Sequence, residues 1–165
     1  MRIFVAMEIN GVTLTEEMIQ IAVVIGIIGY TFRAFYCRTL KKTLDLVREE
    51  NRCMKPQHAW LGLIPLFSIY WNFVIASRMA DSLTNEFYDR KIAEEEDPGK
   101  KIGQIYALFV LLMNIPFLQS FAITAALFSI IFFIRYWVKI DNFKVLLEEH
   151  NRFLENLKAE ENENI

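Results

Sequence analysis

Cysteine and histidine each occur only twice in 165 residues, proline four times and glycine six times. Cys37 and Cys53 cannot supply the several bridges of a small disulfide-stapled domain, and both are read as reduced thiols. His58 and His150 are too few for a histidine-based metal or proton-transfer cluster. Glu49, Cys53 and His58 are close in the chain, but at a spacing that matches no usual ligand set. Neither H-E-x-x-H nor G-x-S-x-G occurs, and the scattered glycines form no phosphate-cradling loop. No catalytic residue, metal or cofactor is therefore expected, and the chain is read as a non-enzyme. Surplus positive charge is also missing, because 18 Lys and Arg are interleaved with 20 Asp and Glu. That balance excludes the basic stripe of a nucleic-acid binder.

What the chain has in abundance is apolar surface: 54% of its residues are hydrophobic, with fourteen Phe, six Tyr and three Trp. These residues gather into runs at 18–37, 58–77, 102–118 and 121–138, separated by charged segments. Runs of about 17–25 apolar residues are the length a helix needs to cross a bilayer. The expected fold is an all-α integral membrane protein with three or four membrane-embedded helices and amphipathic cytoplasmic helices beside them. Residues 1–165 form a single membrane domain, with a helical cytoplasmic tail at 139–165 whose polar end frays. No Asp or Glu lies inside any run, which argues against a proton- or cation-coupled transporter. Glu8, Asn10 and Gly11 interrupt the N-terminal apolar stretch, so the first span, not a cleaved leader, is expected to direct insertion.

Thr13 and Glu16 have capping-box spacing before the first run, and Gly26 and Gly29 offer a close-approach face within it. A separate amphipathic helix is expected over 38–55, with Leu40, Leu44, Val47, Asn51 and Met54 at 4-3-4-3 spacing. Another is expected over 78–93, with Met79, Leu83 and Phe87 at four-residue steps. Glu94 to Lys101 reads as a charged loop, in which Asp97 and Pro98 are expected to start the next helix. Ile140, Phe143, Leu147, His150, Leu154 and Leu157 alternate by three and four, the pattern of a helical seam. At an offset of one hundred residues, Ala22, Phe32, Tyr36, Leu46, Glu49, Asn51 and Arg52 match Ala122, Phe132, Tyr136, Leu146, Glu149, Asn151 and Arg152. Two readings stay open, a pseudo-repeat of span plus juxtamembrane helix and a coincidence of composition.

Orientation follows the Lys and Arg near span ends. Arg33 to Lys55 holds seven, Arg78 to Lys101 five and Arg135 to Lys158 five. Pro65 breaks the 58–77 run, which either crosses as a kinked helix or re-enters on the side it left. Four full spans divide the cations at best eleven to seven, whereas a re-entrant 58–77 puts seventeen of the eighteen on one side. The chain is accordingly placed as a multi-pass protein of the cytoplasmic membrane with its charged segments inside.

Residues 54–86 carry the stretch Trp60-Leu-Gly-Leu-Ile64-Pro65-Leu66-Phe67 followed by a polar helix. This resembles a family of small bacterial multi-span membrane proteins with a Trp-x-x-x-Ile-Pro-Leu-Phe core and no assigned activity, in which Asn commonly stands at the position of Ser68. The resemblance implies a bacterial membrane protein and assigns no site. From the residues themselves, His58, Trp60, Pro65, Ser68, Trp71 and Asn72 form the one group that combines aromatic, polar and helix-breaking character at membrane depth. Packing and interhelical hydrogen bonding are the ordinary use of such a group. The expected function is association, as a homo-oligomer or an accessory subunit beside itself or another membrane protein, through the cytoplasmic helices 38–55, 78–93 and 139–158, with the seam from Ile140 to Leu157 as the candidate contact. The alternative is a small oligomeric channel lined by Gln20, Thr31, Asn72, Gln104 or Asn114; an intramembrane enzyme is a distant third.

Overall fold

The computed structural model describes residues 7–9, 12–92 and 97–163, and of residues 7–14 and 163 the backbone alone. Helices dominate, as expected of an all-α chain. A short antiparallel hairpin pairs β1 (Met7–Ile9) with β2 (Val12–Leu14) in the register Met7 to Leu14. Four helices follow: α1 (Glu16–Leu46), α2 (Pro65–Arg90), α3 (Lys100–Met113) and α4 (Ala122–Glu163). Short 3₁₀ segments at Glu49–Asn51, Pro56–Leu63 and Pro116–Phe121 join them.

The chain divides into two compact units, residues 1–35 and 36–165. In the first, the α1 residues Ile21, Val23, Val24, Ile25, Ile27 and Ile28 each expose half or more of their surface. Added Cβ atoms at Gly26 and Gly29 would meet nothing within 4 Å among the described residues. Thr15 accepts from a first-turn amide, that of Met18 at 3.4 Å, and the backbone of Thr13 belongs to β2.

The second unit is built around one buried cluster. Tyr36, Leu40, Leu44 and Val47 enter it from the end of α1, Ile75, Met79, Leu83 and Phe87 from α2, and Tyr136, Ile140, Phe143 and Leu147 from α4. The α2 set repeats at four-residue steps and the other two at steps of three and four, the spacing that keeps one helix face inward. Full burial of a side chain of this size stabilises by about 1.5–3 kcal/mol. Edge-on packing of Tyr36 against Phe133 and Trp137, at ring separations of 5.0 and 6.3 Å, and a 3.0 Å bond from Trp137 Nε1 to Thr39 Oγ1 tie α1 to α4. Phe109 of α3 stacks on Phe128 and Phe132 of α4 at 5.2 and 5.7 Å. Gly103 lets α2, α3 and α4 approach closely, since a Cβ there would lie 2.7 Å from Ala76 Cβ and 2.8 Å from Tyr136 Cε2.

Several element boundaries differ from the sequence expectation. α1 runs through Cys37 without a break and stops at Leu46, so 38–55 is not a separate helix; Asn51 is buried from the 3₁₀ segment Glu49–Asn51 and Met54 from the bend after it. Pro65 breaks the 58–77 run, as expected, but at the junction of two helical segments and not inside one, the 3₁₀ segment ending at Leu63. It opens α2 at the first position, where its missing N–H is no loss, and α2 then continues through Ser77 and Arg78 to Arg90. Gly99, with φ of 77°, caps α3 in place of Asp97, and the tail expected to fray continues α4 to Glu163. Glu94, Glu95 and Glu96 of the expected charged loop lie outside the described residues.

Two stretches among the described residues are long and apolar enough to cross a membrane, Glu16–Leu46 and Pro116–Asn162. α3, with 14 residues, spans about 21 Å, less than the ~30 Å of a hydrocarbon core. Ile123, Leu127, Ile130, Ile131 and Ile134 of α4 expose half or more of their surface, while Ala125 and Ser129 are buried.

Candidate functional site

The expected cluster from His58 to Asn72 is only partly brought together. Trp71 Nε1 donates to His58 O at 2.9 Å, and its ring meets the His58 imidazole edge-on at 6.2 Å and stacks on Phe67 at 5.1 Å. Ser68 Oγ donates to Pro65 O at 2.7 Å, which closes the first turn of α2. Asn72 is buried, whereas Trp60 is exposed and Pro65 lies at the exposed start of the helix. Of the other polar residues considered for a pore, Thr31 Oγ1 donates to Ile27 O within α1, Asn114 Nδ2 to Val110 O at the end of α3, and Gln104 Nε2 of α3 to Ser77 Oγ of α2 at 3.4 Å. Gln20 is exposed on α1.

The seam of α4 splits in two. Ile140, Phe143 and Leu147 are buried in the chain's own core, and His150 is half-buried. Leu154 and Leu157 are 38% and 45% exposed, and Phe153 beside them 58%.

A polar centre that no sequence motif announced sits at the end of the buried cluster. Glu86 of α2 is fully buried and accepts three hydrogen bonds: from Arg90 Nε at 2.6 Å on one oxygen, and from Asn51 Nδ2 at 2.8 Å and the Arg48 amide at 3.0 Å on the other. Arg90, its side chain 5% exposed, also donates to Leu46 O at 3.1 Å and to Asn151 Oδ1 at 2.6 Å. Asn51 donates to Asp89 Oδ2 at 2.8 Å as well. Burial acts to raise the Glu86 pKa, but the bonds from Asn51, Arg48 and Arg90 and the charge of Arg90 outweigh it and hold the carboxyl below its ordinary value. A carboxylate so occupied has little acceptor capacity left for a substrate proton. It serves instead to join the end of α1, the following 3₁₀ turn, α2 and α4. Part of this was legible in advance, since Glu86 and Arg90 have i, i+4 spacing and Asn51 and Asn151 match at the hundred-residue offset.

Beside this centre lies an open cavity of about 1080 Å³ between α2 and the 3₁₀ segments. Glu49, Cys53 and His58 all line it. Even so, no three His, Cys, Asp or Glu among the described residues are grouped so as to hold a metal. Cys53 is half-buried, with its amide donating to Ser82 Oγ at 2.8 Å, and Cys37 is fully buried. Compared with known proteins, the chain matches no family model, no curated protein and no solved structure.

Proposed function

We propose that the chain is a multi-pass protein of the bacterial cytoplasmic membrane that acts by association, with a second copy or another membrane protein, and carries out no catalysis. The observation that carries this reading is the exposed apolar residues on α4 beyond Leu147. Beyond Leu147 the helix continues for four turns, and Phe153, Leu154 and Leu157 form an exposed apolar stripe among Glu148, Glu149, Arg152, Glu155 and Lys158. Apolar stripes flanked by charge are the usual surface of helix pairing. Kinship with the small bacterial family that shares the Trp60 to Phe67 core belongs to the same proposal.

Placement in the bilayer is supported by the exposed apolar faces of α1 and α4, which have no cost in lipid and a large one in water. The hydrogen bonds among Asn51, Glu86, Arg90 and Asn151 support one side for all three charged segments, because groups within 3 Å cannot be separated by a hydrocarbon layer of ~30 Å. They favour a segment 58–77 that dips and returns. The part of α2 before Arg78 is about 20 Å long, too short to cross alone.

The test is the protein mass in detergent by light scattering. The wild-type chain is expected as an oligomer or a hetero-complex, and Leu154→Asp with Leu157→Asp as a folded monomer. A monomeric wild-type particle with no second chain in mild detergent rejects association.

A further inference from the structure

Resting on the reading that the chain lies in a bilayer, we infer that the cavity beside α2 is a binding site for a phospholipid with a net negative headgroup. One wall is apolar. It is formed by Tyr70, Trp71, Phe73 and Val74 of α2, and the one polar atom of the Trp71 ring is already committed to His58 O at 2.9 Å. Packing of Phe67 on Trp71 at 5.1 Å holds this wall in place. The rim carries cations. Lys55 and Arg78 both line the cavity, both are exposed, and among the described residues neither takes part in an ion pair.

The acids of the same lining do not cancel them. Asp45 is paired with Lys41 at 2.8 Å, outside the cavity lining, and Glu49, whose side chain is 93% exposed, lies 3.8 Å from Arg52. Arg52 is itself engaged, through Val47 O at 2.7 Å and Asp45 O at 3.0 Å. Lys55 and Arg78 therefore remain for a ligand. Inorganic phosphate would satisfy these two cations and leave the aromatic wall wet, and a neutral amphiphile would do the reverse. An anionic phospholipid satisfies both, and a volume of about 1080 Å³ admits its headgroup, glycerol and first acyl carbons. Aromatic residues beside basic ones are also the composition of the membrane–water interface, where such a lipid is at hand.

The full-length protein in a nonionic detergent is to be titrated with dioctanoyl phosphatidylglycerol, dioctanoyl phosphatidylcholine and inorganic phosphate, with thermophoresis as the readout. Phosphatidylglycerol is expected to bind at least tenfold more tightly than phosphatidylcholine, and phosphate not at all. Lys55→Gln and Arg78→Gln should each weaken binding about fivefold and together about 25-fold, at ~1 kcal/mol per cation. Tyr70→Glu, at an exposed position, should weaken it with both cations intact. Leu154→Asp with Leu157→Asp should leave it unchanged, which separates lipid binding from association. Equal binding of the two lipids, indifference to the double Gln variant, or phosphate binding as tight as the lipid each overturns the inference. Release of the protein from membranes by alkaline carbonate overturns the bilayer reading beneath it, whereas retention without phosphatidylglycerol binding overturns the lipid site alone.

Discussion

Glu86 is the residue on which most of the second unit converges, and its charge state sets a pH dependence. Its carboxyl is held below the ordinary value of 4.5, so the folded state gains from ionisation. That contribution is complete above the ordinary value and is lost as pH falls through the lowered folded value. Thermal stability in detergent is therefore expected to fall as pH is taken down from the ordinary value of 4.5, with a smaller fall for Glu86→Gln over the same range. At pH 7 Glu86→Gln leaves Arg90 buried without its counter-charge and is expected to cost roughly 3 kcal/mol. A variant as stable as wild type at pH 7 would show that the pair does not hold the elements together.

Gly103 makes a second residue-scale prediction. Replacement by Ala normally favours a helix by up to about 1 kcal/mol, but here the new methyl would lie 2.7 Å from Ala76 Cβ, which has no rotamer to move. Gly103→Ala is expected to destabilise by about 1–3 kcal/mol, while Gly26→Ala, with open space around it, is neutral or stabilising. Denaturation of both variants in one detergent gives the comparison.

Among the elements, α2 and α4 depart furthest from the pattern of the sequence. Because Pro65 occupies the first position of α2, where no amide partner is lost, Pro65→Ala is expected to change stability by less than about 1 kcal/mol. A proline kinking the middle of a span would respond differently, because its replacement would restore a backbone bond. The seam of α4 has a buried half and an exposed half. Leu147→Asp places a charge in the buried cluster and is expected to prevent folding, whereas Leu154→Asp with Leu157→Asp alters only particle mass. If both variants fold alike and both keep the wild-type mass, the division of α4 at His150 is wrong.

At the scale of the whole molecule, the three charged segments meet at Glu86 and Arg90, which places their side of the membrane under test. Single cysteines at Lys42, Thr84 and Ala159, all exposed, in a chain lacking Cys37 and Cys53, are expected to resist an impermeant thiol reagent in intact cells. All three should react once the cells are opened. Labelling of Thr84 with protection of Lys42 is the outcome that sinks the re-entrant reading and restores a true second span.

The helical class, the apolar stretches of α1 and α4, and the faces at Leu40, Leu44 and Val47 and at Ile140, Phe143 and Leu147 were all legible in the sequence. Hydrophobic periodicity is a local property, set by 3.6 residues per turn whatever the helix packs against. The hundred-residue match was legible too, and its Tyr36 and Tyr136 rings lie 6.2 Å apart in the core. Helix ends were read less well, because Pro65 starts a helix as readily as it breaks one, and only the 3₁₀ segment before it decides which. Tertiary structure alone decided which half of the α4 seam is core and which is surface, since identical spacing serves both. It also decided that Asn51 and Asn151, one hundred residues apart, meet at the buried Glu86–Arg90 ion pair, the first bonded to the carboxylate and the second to the guanidinium. A buried carboxylate needs donors from several directions at once, and such a set exists only when separate helices have already been brought together.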